Sequence, residues 1–262
     1  MCGRFVASRP VEEIARLLDV DKVEVPPELV VPRWNIAPQA SVLAVTVPHP
    51  EAGLRHLSAF KWGLVPWWAK DPSIGTRAFN AKAETAMNKP MFRNAVDRQR
   101  CIVPADAFYE WAPAGKGDPV RRKQPWCFRA ADSGLLLMGG LWERWRPRDA
   151  ESAPPLHTCT ILTTEANALV GRVHDRMPVL ITAENLERWL SPEPLASGEL
   201  SRLTRPLESE ALETFKVSTR LNDAREEGPD LGEPLDDEQG DAGQGGGARL
   251  FLPARPPSAT GP

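Results

Sequence analysis

The sequence predicts one folded domain that mixes strands with a few short helices, followed by an acidic tail. Three observations carry this. Runs of strand composition recur at residues 41–47, 54–62, 108–111, 126–130, 135–142 and 157–163. Helical spacing is confined to short windows between them. At residue 223 the composition turns acidic and then glycine-rich, so 2–222 is expected to be the domain and 223–262 a disordered tail. The chain of 262 residues is 42% hydrophobic and has nine tryptophans, enough for one substantial core.

Taken in order, residues 9–19 read as a helix. Ser8 is placed to cap it, Pro10 suits its first turn, and Val11, Ile14, Leu17 and Leu18 repeat at helical spacing. Residues 21–33 hold Pro26, Pro27 and Pro32 and read as an extended loop. The run from Trp34 to Pro38 reads as a buried loop, in which Asn35 bonds either the N-terminal segment or its own turn. Strands 41–47 and 54–62 follow. Trp67 and Trp68 come next. Neighbours on a strand face opposite ways, so both cannot point into one core; one of them stands at the surface or in a cleft.

A helix is expected to begin near Lys82 or Glu84 and to run through Met87, ending at Pro90. Asn80 stands just before it, either as a cap or beside backbone N–H groups that favour a phosphate. After strand 108–111, residues 112–125 form a loop carrying Arg121, Arg122 and Lys123. Strands 126–130 and 135–142 are expected to pair through an Asp132-Ser133-Gly134 turn. Strand 157–163 leads into a helix over 164–170 with Thr163 or Thr164 as cap. His174 then lies in a loop beside Asp175, ahead of Pro178. Residues 182–190 read as the last clear helix, capped by Thr182, and a final strand falls within 203–217. In the tail, 250–252 has the composition of a short anchor.

Several classes are disfavoured. The N-terminus lacks the apolar core of a signal peptide, and no apolar run approaches the ~18–20 residues of a membrane span. The expectation is a cytoplasmic protein, on the nucleoid when bound to DNA. Cys2, Cys101, Cys127 and Cys159 are far apart, which argues against a zinc site and against disulfides. The net charge of −3 hides an asymmetry: residues 223–262 carry −6, so residues 1–222 carry +3. Residues 61–129 hold thirteen Lys and Arg against six Asp and Glu, interleaved with Trp and Phe, as a nucleic-acid groove requires.

The chemistry converges on the second residue. Removal of Met1 would leave a chain beginning with Cys2, with an α-amine of pKa about 7.7–8.0 beside a thiol of pKa about 8.5. Such an aminothiol condenses with an aldehyde to an imine and closes to a five-membered thiazolidine. Glu110, between Tyr109 and Trp111, is either a dry carboxyl with a raised pKa, fit for proton transfer, or a solvent-facing strand position.

Six segments then agree with one family, in its order: Met1-Cys2-Gly3-Arg4-Phe5, Asn35-Ile36-Ala37-Pro38, Trp62-Gly63-Leu64-Val65-Pro66-Trp67, Asn80-Ala81-Lys82-Ala83-Glu84-Thr85, the run from Val103 to Trp111, and His174-Asp175-Arg176-Met177-Pro178. Over residues 2–220 the chain resembles the SOS response-associated peptidase (SRAP) family, whose members shield abasic sites in single-stranded DNA. The resemblance implies a single compact α+β domain on a curled, mostly antiparallel, barrel-like β-sheet with flanking short helices. It implies that Cys2 captures the aldehyde of an abasic site, that Asn80 holds the opened sugar, that Glu110 is the acid and base, and that His174 assists proton transfer at the sugar or phosphate. Arg4, Trp67 and Trp68 would line the DNA path, with Asn35, Arg77 and Lys82 as further DNA contacts. Autoproteolytic exposure of Cys2 and lyase-like chemistry are implied too. The expected partner is single-stranded DNA containing an abasic site, bound by a monomer, with no membrane, metal or organic cofactor involved. Lys82 departs from the family, which has arginine there; it keeps the charge but loses the bidentate fork for phosphate.

Two rivals remain. Class II glutamine amidotransferase domains also begin Met-Cys-Gly and use the cysteine to attack an amide. A non-catalytic nucleic-acid module would leave Cys2 incidental.

Overall fold

Alternation along the strands decides the architecture. Phe5 and Val6 are neighbours, yet they join different apolar clusters on opposite faces of the first strand. The computed structural model describes residues 2–112, 123–147 and 152–235. In chain order the strands are β1 (Arg4–Ala7), β2 (Lys22–Glu24), β3 (Arg33–Ile36), β4 (Ser41–Thr46), β5 (His56–Trp62), β6 (Asn80–Lys82), β7 (Arg100–Ala105), β8 (Ala107–Ala112), β9 (Gln124–Ala130), β10 (Leu136–Trp145), β11 (Leu156–Glu165), β12 (Arg176–Pro178) and β13 (Leu212–Lys216). The α-helices are short: α1 (Val11–Leu17), α2 (Ala83–Ala86), α3 (Arg93–Arg98), α4 (Leu186–Leu190) and α5 (Glu199–Leu203).

One sheet has the order β13-β9-β8-β1-β3 and is antiparallel throughout. The other has the order β12-β11-β10-β7-β4-β5-β2. A further parallel pairing of β5 with β11 closes β11, β10, β7, β4 and β5 into a ring, and β6 adds to β11 in parallel. This is the α+β class with a curled, mostly antiparallel sheet. Phe5, Phe60, Trp62, Phe108, Phe128 and Ile161 fill the space shared by the two sheets. The helices cover another face, where Val11, Ile14, Phe92, Trp189 and Leu200 form a separate cluster. Among the described residues no helix is long and apolar enough to cross a membrane.

Several local expectations are corrected. Ser8 does not cap α1: its N–H and hydroxyl both donate to Asp106, at 2.7 and 3.0 Å, and Pro10 takes the cap position. Residues 21–38 contain β2 and β3 rather than only loop, because β5 and β1 offer open edges to pair with. β9 and β10 are not partners. The turn at Asp132, where Gly134 N–H donates to Asp132 Oδ1 at 2.9 Å, is a corner that carries the chain from one sheet to the other. The helix expected over 164–170 is absent. β11 runs on through Glu165, paired to β12, and a 3₁₀ turn at Val170–Arg172 follows. Thr182 opens a 3₁₀ turn, the α-helix proper starts at Leu186, and α5 comes after it.

The acidic segment after 223 also begins differently from its composition. Leu231 is fully buried against Val6, Tyr109 and Leu221, on the outer face of β1 and β8. Leu235 N–H donates to the Lys216 carbonyl at 3.0 Å. Residues 223–235 thus fold onto the domain; the rest of the tail, including 250–252, lies outside the described residues, as do Arg121 and Arg122.

Candidate active site

The N-terminal segment enters the core. Cys2 is fully buried and belongs to the apolar cluster between the sheets. Its carbonyl oxygen accepts a hydrogen bond from Asn80 Nδ2 at 2.6 Å. Asn80 is held there because β6 is itself held: Asn80 pairs with Ile161 across β6 and β11. The preceding Phe79 carbonyl accepts from Ile161 N–H at 3.0 Å and from Trp62 Nε1 at 2.8 Å. Asn80 is therefore neither a helix cap nor a loop residue. Its Oδ1 is buried with no hydrogen-bond partner among the described residues, an arrangement that native proteins reserve for special positions.

Glu110 comes from β8. Arg4 pairs with Tyr109, so Glu110 stands one step further along, beside the Gly3–Cys2 end of the chain. It is 2% exposed. Burial pushes its carboxyl up to about 7, while the positive charge of the chain's amino terminus pulls the other way. A carboxyl in that range is both acid and base at neutral pH. Tyr109 and Trp111 are not what keeps it dry: both pack on the opposite face of β8. A large neighbour on its own side is Trp126, which pairs with Glu110 across β8 and β9 and whose buried Nε1 has no hydrogen-bond partner among the described residues. Trp126 is a site residue that its strand-like sequence context did not reveal.

His174 reaches the same place from the loop before β12. Its Nδ1 accepts the Arg176 N–H at 3.0 Å, which leaves Nε2 as the protonated nitrogen of the neutral ring. Asp175 Oδ1 lies 3.0 Å from the same Nδ1. Burial, and then the amino terminus, hold the imidazole below its ordinary value; Asp175 opposes them. His174, Glu110, Gly3, Phe79 and Lys123 line one open pocket. Arg176 ties this loop to the Asn80 segment. Its guanidinium donates to both Glu84 oxygens, at 2.8 and 2.9 Å, and to the Thr163 carbonyl at 2.6 Å. The Glu84 carboxyl is lowered in pKa, chiefly by that hydrogen bonding. The two distant sequence motifs are thereby clamped to β11.

Burial pushes the Cys2 thiol well above its ordinary range, and the Glu110 charge adds to this. The site therefore presents an intermediate carboxyl and a neutral imidazole at one pocket, with a protonated thiol buried next to the pocket-lining Gly3. Among the described residues no three His, Cys, Asp or Glu side chains are placed to hold a metal ion.

The other expected contacts divide. Trp68 (37% exposed) and exposed Arg77 line a groove that also includes Asn80. Trp67, at 60% exposed, stands beside them and faces another groove. Lys82 is exposed at the start of α2. Arg4 lines the same pocket as Glu110 and His174, whereas Asn35 lies buried behind it. Arg4 Nη1 donates to Asn35 Oδ1 at 2.6 Å and to the Leu221 carbonyl at 2.9 Å, and its guanidinium sits 5.7 Å from the Trp111 ring centroid. Asn35 is buried, and its Nδ2 donates to the Asp223 and Glu226 carbonyls, both at 2.9 Å. Both residues bolt the first strands to the C-terminal segment.

The fold and site define a class: an α+β domain whose second residue, a cysteine, is buried next to a pocket lined by a carboxyl and an imidazole. Comparison with known proteins narrows it. The SOS response associated peptidase (SRAP) family profile matches residues 1–224, and the chain belongs to that family. The abasic site processing protein YoqW of Bacillus subtilis (strain 168) is 36% identical over 231 residues, covering 88% of this chain and 98% of the relative. The abasic site processing protein HMCES of Gallus gallus is 31% identical, covering 78% of this chain and 67% of its own. The abasic site processing protein YedK of Escherichia coli (strain K12) is 28% identical, covering 90% and 100%. A crystal structure of a protein from Bacteroides thetaiotaomicron shares the fold, with a TM-score of 0.74 at 22% identity, covering 89% of this chain and 100% of that one.

Proposed function

We propose that this protein processes abasic sites in single-stranded DNA by forming a covalent cross-link between Cys2 and the abasic aldehyde. The observation that carries the reading is the convergence of Asn80, Glu110 and His174 on the N-terminal segment. Loss of Met1, by autoproteolysis, exposes the Cys2 amine.

The steps follow from the protonation states. Glu110, in its acid form, protonates the sugar ring oxygen as the hemiacetal opens, and its carboxylate form takes a proton from the attacking amine. The neutral Cys2 amine adds to the aldehyde carbon, and loss of one water gives the imine. The thiol then adds across the C=N bond: an S–C bond forms and the thiol proton passes to nitrogen. Atoms balance and nothing is oxidised. A thiol held protonated by burial suits this order, with the amine attacking first. A glutaminase needs a thiolate as its first nucleophile, which the same burial disfavours. Asn80 Oδ1 and His174 Nε2 supply an acceptor and a donor for the opened sugar. An abasic nucleotide in a single strand has no partner to leave, so reaching the pocket costs little. Reversal of the same steps takes up one water and returns the intact abasic site; a lyase-like reaction would instead leave from the imine, with the C2 proton passing to the Glu110 carboxylate and the 3′ phosphate departing as the C3–O bond breaks.

The test is a denaturing gel. Full-length protein mixed with a single-stranded oligonucleotide holding one abasic site gives a shifted covalent band, and Cys2→Ala gives none. No band with the wild type, or an equal band with Cys2→Ala, overturns the reading. Glutaminase activity without a band would favour the amidohydrolase instead.

A further inference from the structure

Trp67 and Trp68 are adjacent in sequence but face different grooves. Trp68 shares its groove with Arg77 and Asn80. Trp67 shares a separate groove with Trp142, His157, Arg98 and Arg144. The opposite wall is also continuous: residues 89–92 line the first groove, and Asn94, Asp97, Arg98 and Gln99, in and after α3, line the second. The two grooves are thus lined by adjacent stretches of the same two pieces of chain, with the tryptophan pair between them.

The second stretch has a built floor. Phe60 stacks on His157, with ring centroids 5.6 Å apart and planes at 29°. Trp142 meets both rings edge-on, at 6.0 and 6.5 Å. Two arginines face this floor. Arg98 and Arg144 are exposed, and neither has a carboxylate partner among the described residues. The remaining charges there are Lys22, paired with Glu24 at 2.7 Å, and Asp97. Aromatic faces with unpaired cations beside them suit unstacked bases and their phosphates. A duplex would bury its base faces and gain nothing from Trp67.

We infer that the groove beyond Trp67 is a second DNA site, which takes the unpaired strand flanking the abasic nucleotide, with bases on Trp67 and His157 and phosphates on Arg98 and Arg144. The inference rests on the abasic-site reading above. It places no new chemistry there; it extends the footprint to one side of the lesion and makes affinity depend on strand length in that direction.

The experiment uses full-length protein and fluorescence anisotropy. The probes are labelled oligonucleotides with a tetrahydrofuran lesion analogue, which has no aldehyde and so reports binding alone. A short probe of about five nucleotides is compared with probes lengthened by about ten thymidines on the 5′ side, on the 3′ side, or by the same length as duplex. Single-stranded extension on one side is expected to tighten binding about tenfold, and the Arg98→Glu/Arg144→Glu variant to lose most of that gain. The variant's salt slope on the long probe should be shallower by about 1.4, the contribution of two single-strand phosphates. The same variant should cross-link a short oligonucleotide with a natural abasic site at the wild-type rate, which also shows that it is folded. A length gain that survives the double charge reversal overturns the inference. So does equal gain from duplex extension, or no gain from either side. If the wild type fails to cross-link the short natural abasic probe, the abasic-site reading itself fails, whatever the length series shows.

Discussion

Asn80 Nδ2 donates to the carbonyl oxygen of Cys2 at 2.6 Å, and this bond fixes the N-terminal cysteine to β6. In the proposed mechanism Asn80 aims the nucleophile through its N–H group and offers its buried Oδ1, which has no hydrogen-bond partner among the described residues, to the substrate. Asn80→Ala should therefore slow cross-linking about 5–30-fold, the value of one or two hydrogen bonds. Asn80→Asp should fail comparably, since a carboxylate cannot donate to a carbonyl. Single-turnover rates from gel time courses check this; an Asp variant at the wild-type rate would remove the donor role.

Glu110 gives a pH signature. Its carboxyl titrates at about 7, so its acid form is lost as pH rises through that value, while the Cys2 amine gains its neutral form toward pH ~8. The cross-linking rate should trace a narrow bell. Glu110→Gln should be roughly a hundredfold slower and keep only the rising limb. Stability moves the opposite way. A carboxyl raised by burial costs the fold nothing below its unfolded pKa of about 4.3, and the cost grows until pH ~7. Glu110→Gln should thus be more stable than the wild type above pH 7, by about 3–4 kcal/mol, and equal to it near pH 4. Urea titrations at the two pH values measure this; a variant less stable at both would contradict the burial argument.

Asn35 separates a structural role from DNA contact. It joins Arg4 to the carbonyls of Asp223 and Glu226. Asn35→Ala leaves those buried groups short of partners and should cost about 2–3 kcal/mol of unfolding free energy. The salt slope of DNA binding should not change, because no phosphate contact is lost. A shallower slope with unchanged stability would return Asn35 to the DNA interface.

The loop bearing Trp67 and Trp68 depends on Gly63. Its φ is +151°, and an added Cβ would lie 2.4 Å from Gln39 Nε2 and 2.5 Å from the Gly75 carbonyl oxygen. Gly63→Ala should cost about 1–3 kcal/mol and lower Tm by several degrees. Thermal melts check it; an unshifted melt would mean that the loop relaxes freely.

The strands with clear alternation were legible in the sequence: β4, β5, β8 and β11 fall where their residues predict. Which strand pairs with which was not. The turn at Asp132 looks like a hairpin locally, but β9 and β10 each find better partners in separate sheets. Thr163 and Thr164 look like helix caps, yet pairing with Pro178 and Met177 keeps them in a strand. For the site, Cys2, Asn80, Glu110 and His174 were found through the family resemblance. Their convergence needed the fold, because β6 exists only as a partner of β11. Trp126 and the Glu84–Arg176 clamp gave no local signal; cross-strand register and a contact spanning 92 residues created them. The sequence offers Asn35 a bond to the N-terminal segment as one of two readings, but its bonds to the Asp223 and Glu226 carbonyls stay hidden, because the segment that holds those carbonyls looks like the start of a disordered tail.

The central claim is that the amine and the thiol of Cys2 both bond to one aldehyde carbon. Intact-peptide mass spectrometry of the purified adduct, after nuclease and protease digestion, tests it most directly. The account predicts an N-terminal fragment that begins at Cys2, lacks Met1, carries the abasic remnant with the loss of one water, and has no thiol left to alkylate. A remnant on another residue, a retained Met1, or a Cys2 thiol that still alkylates would contradict it.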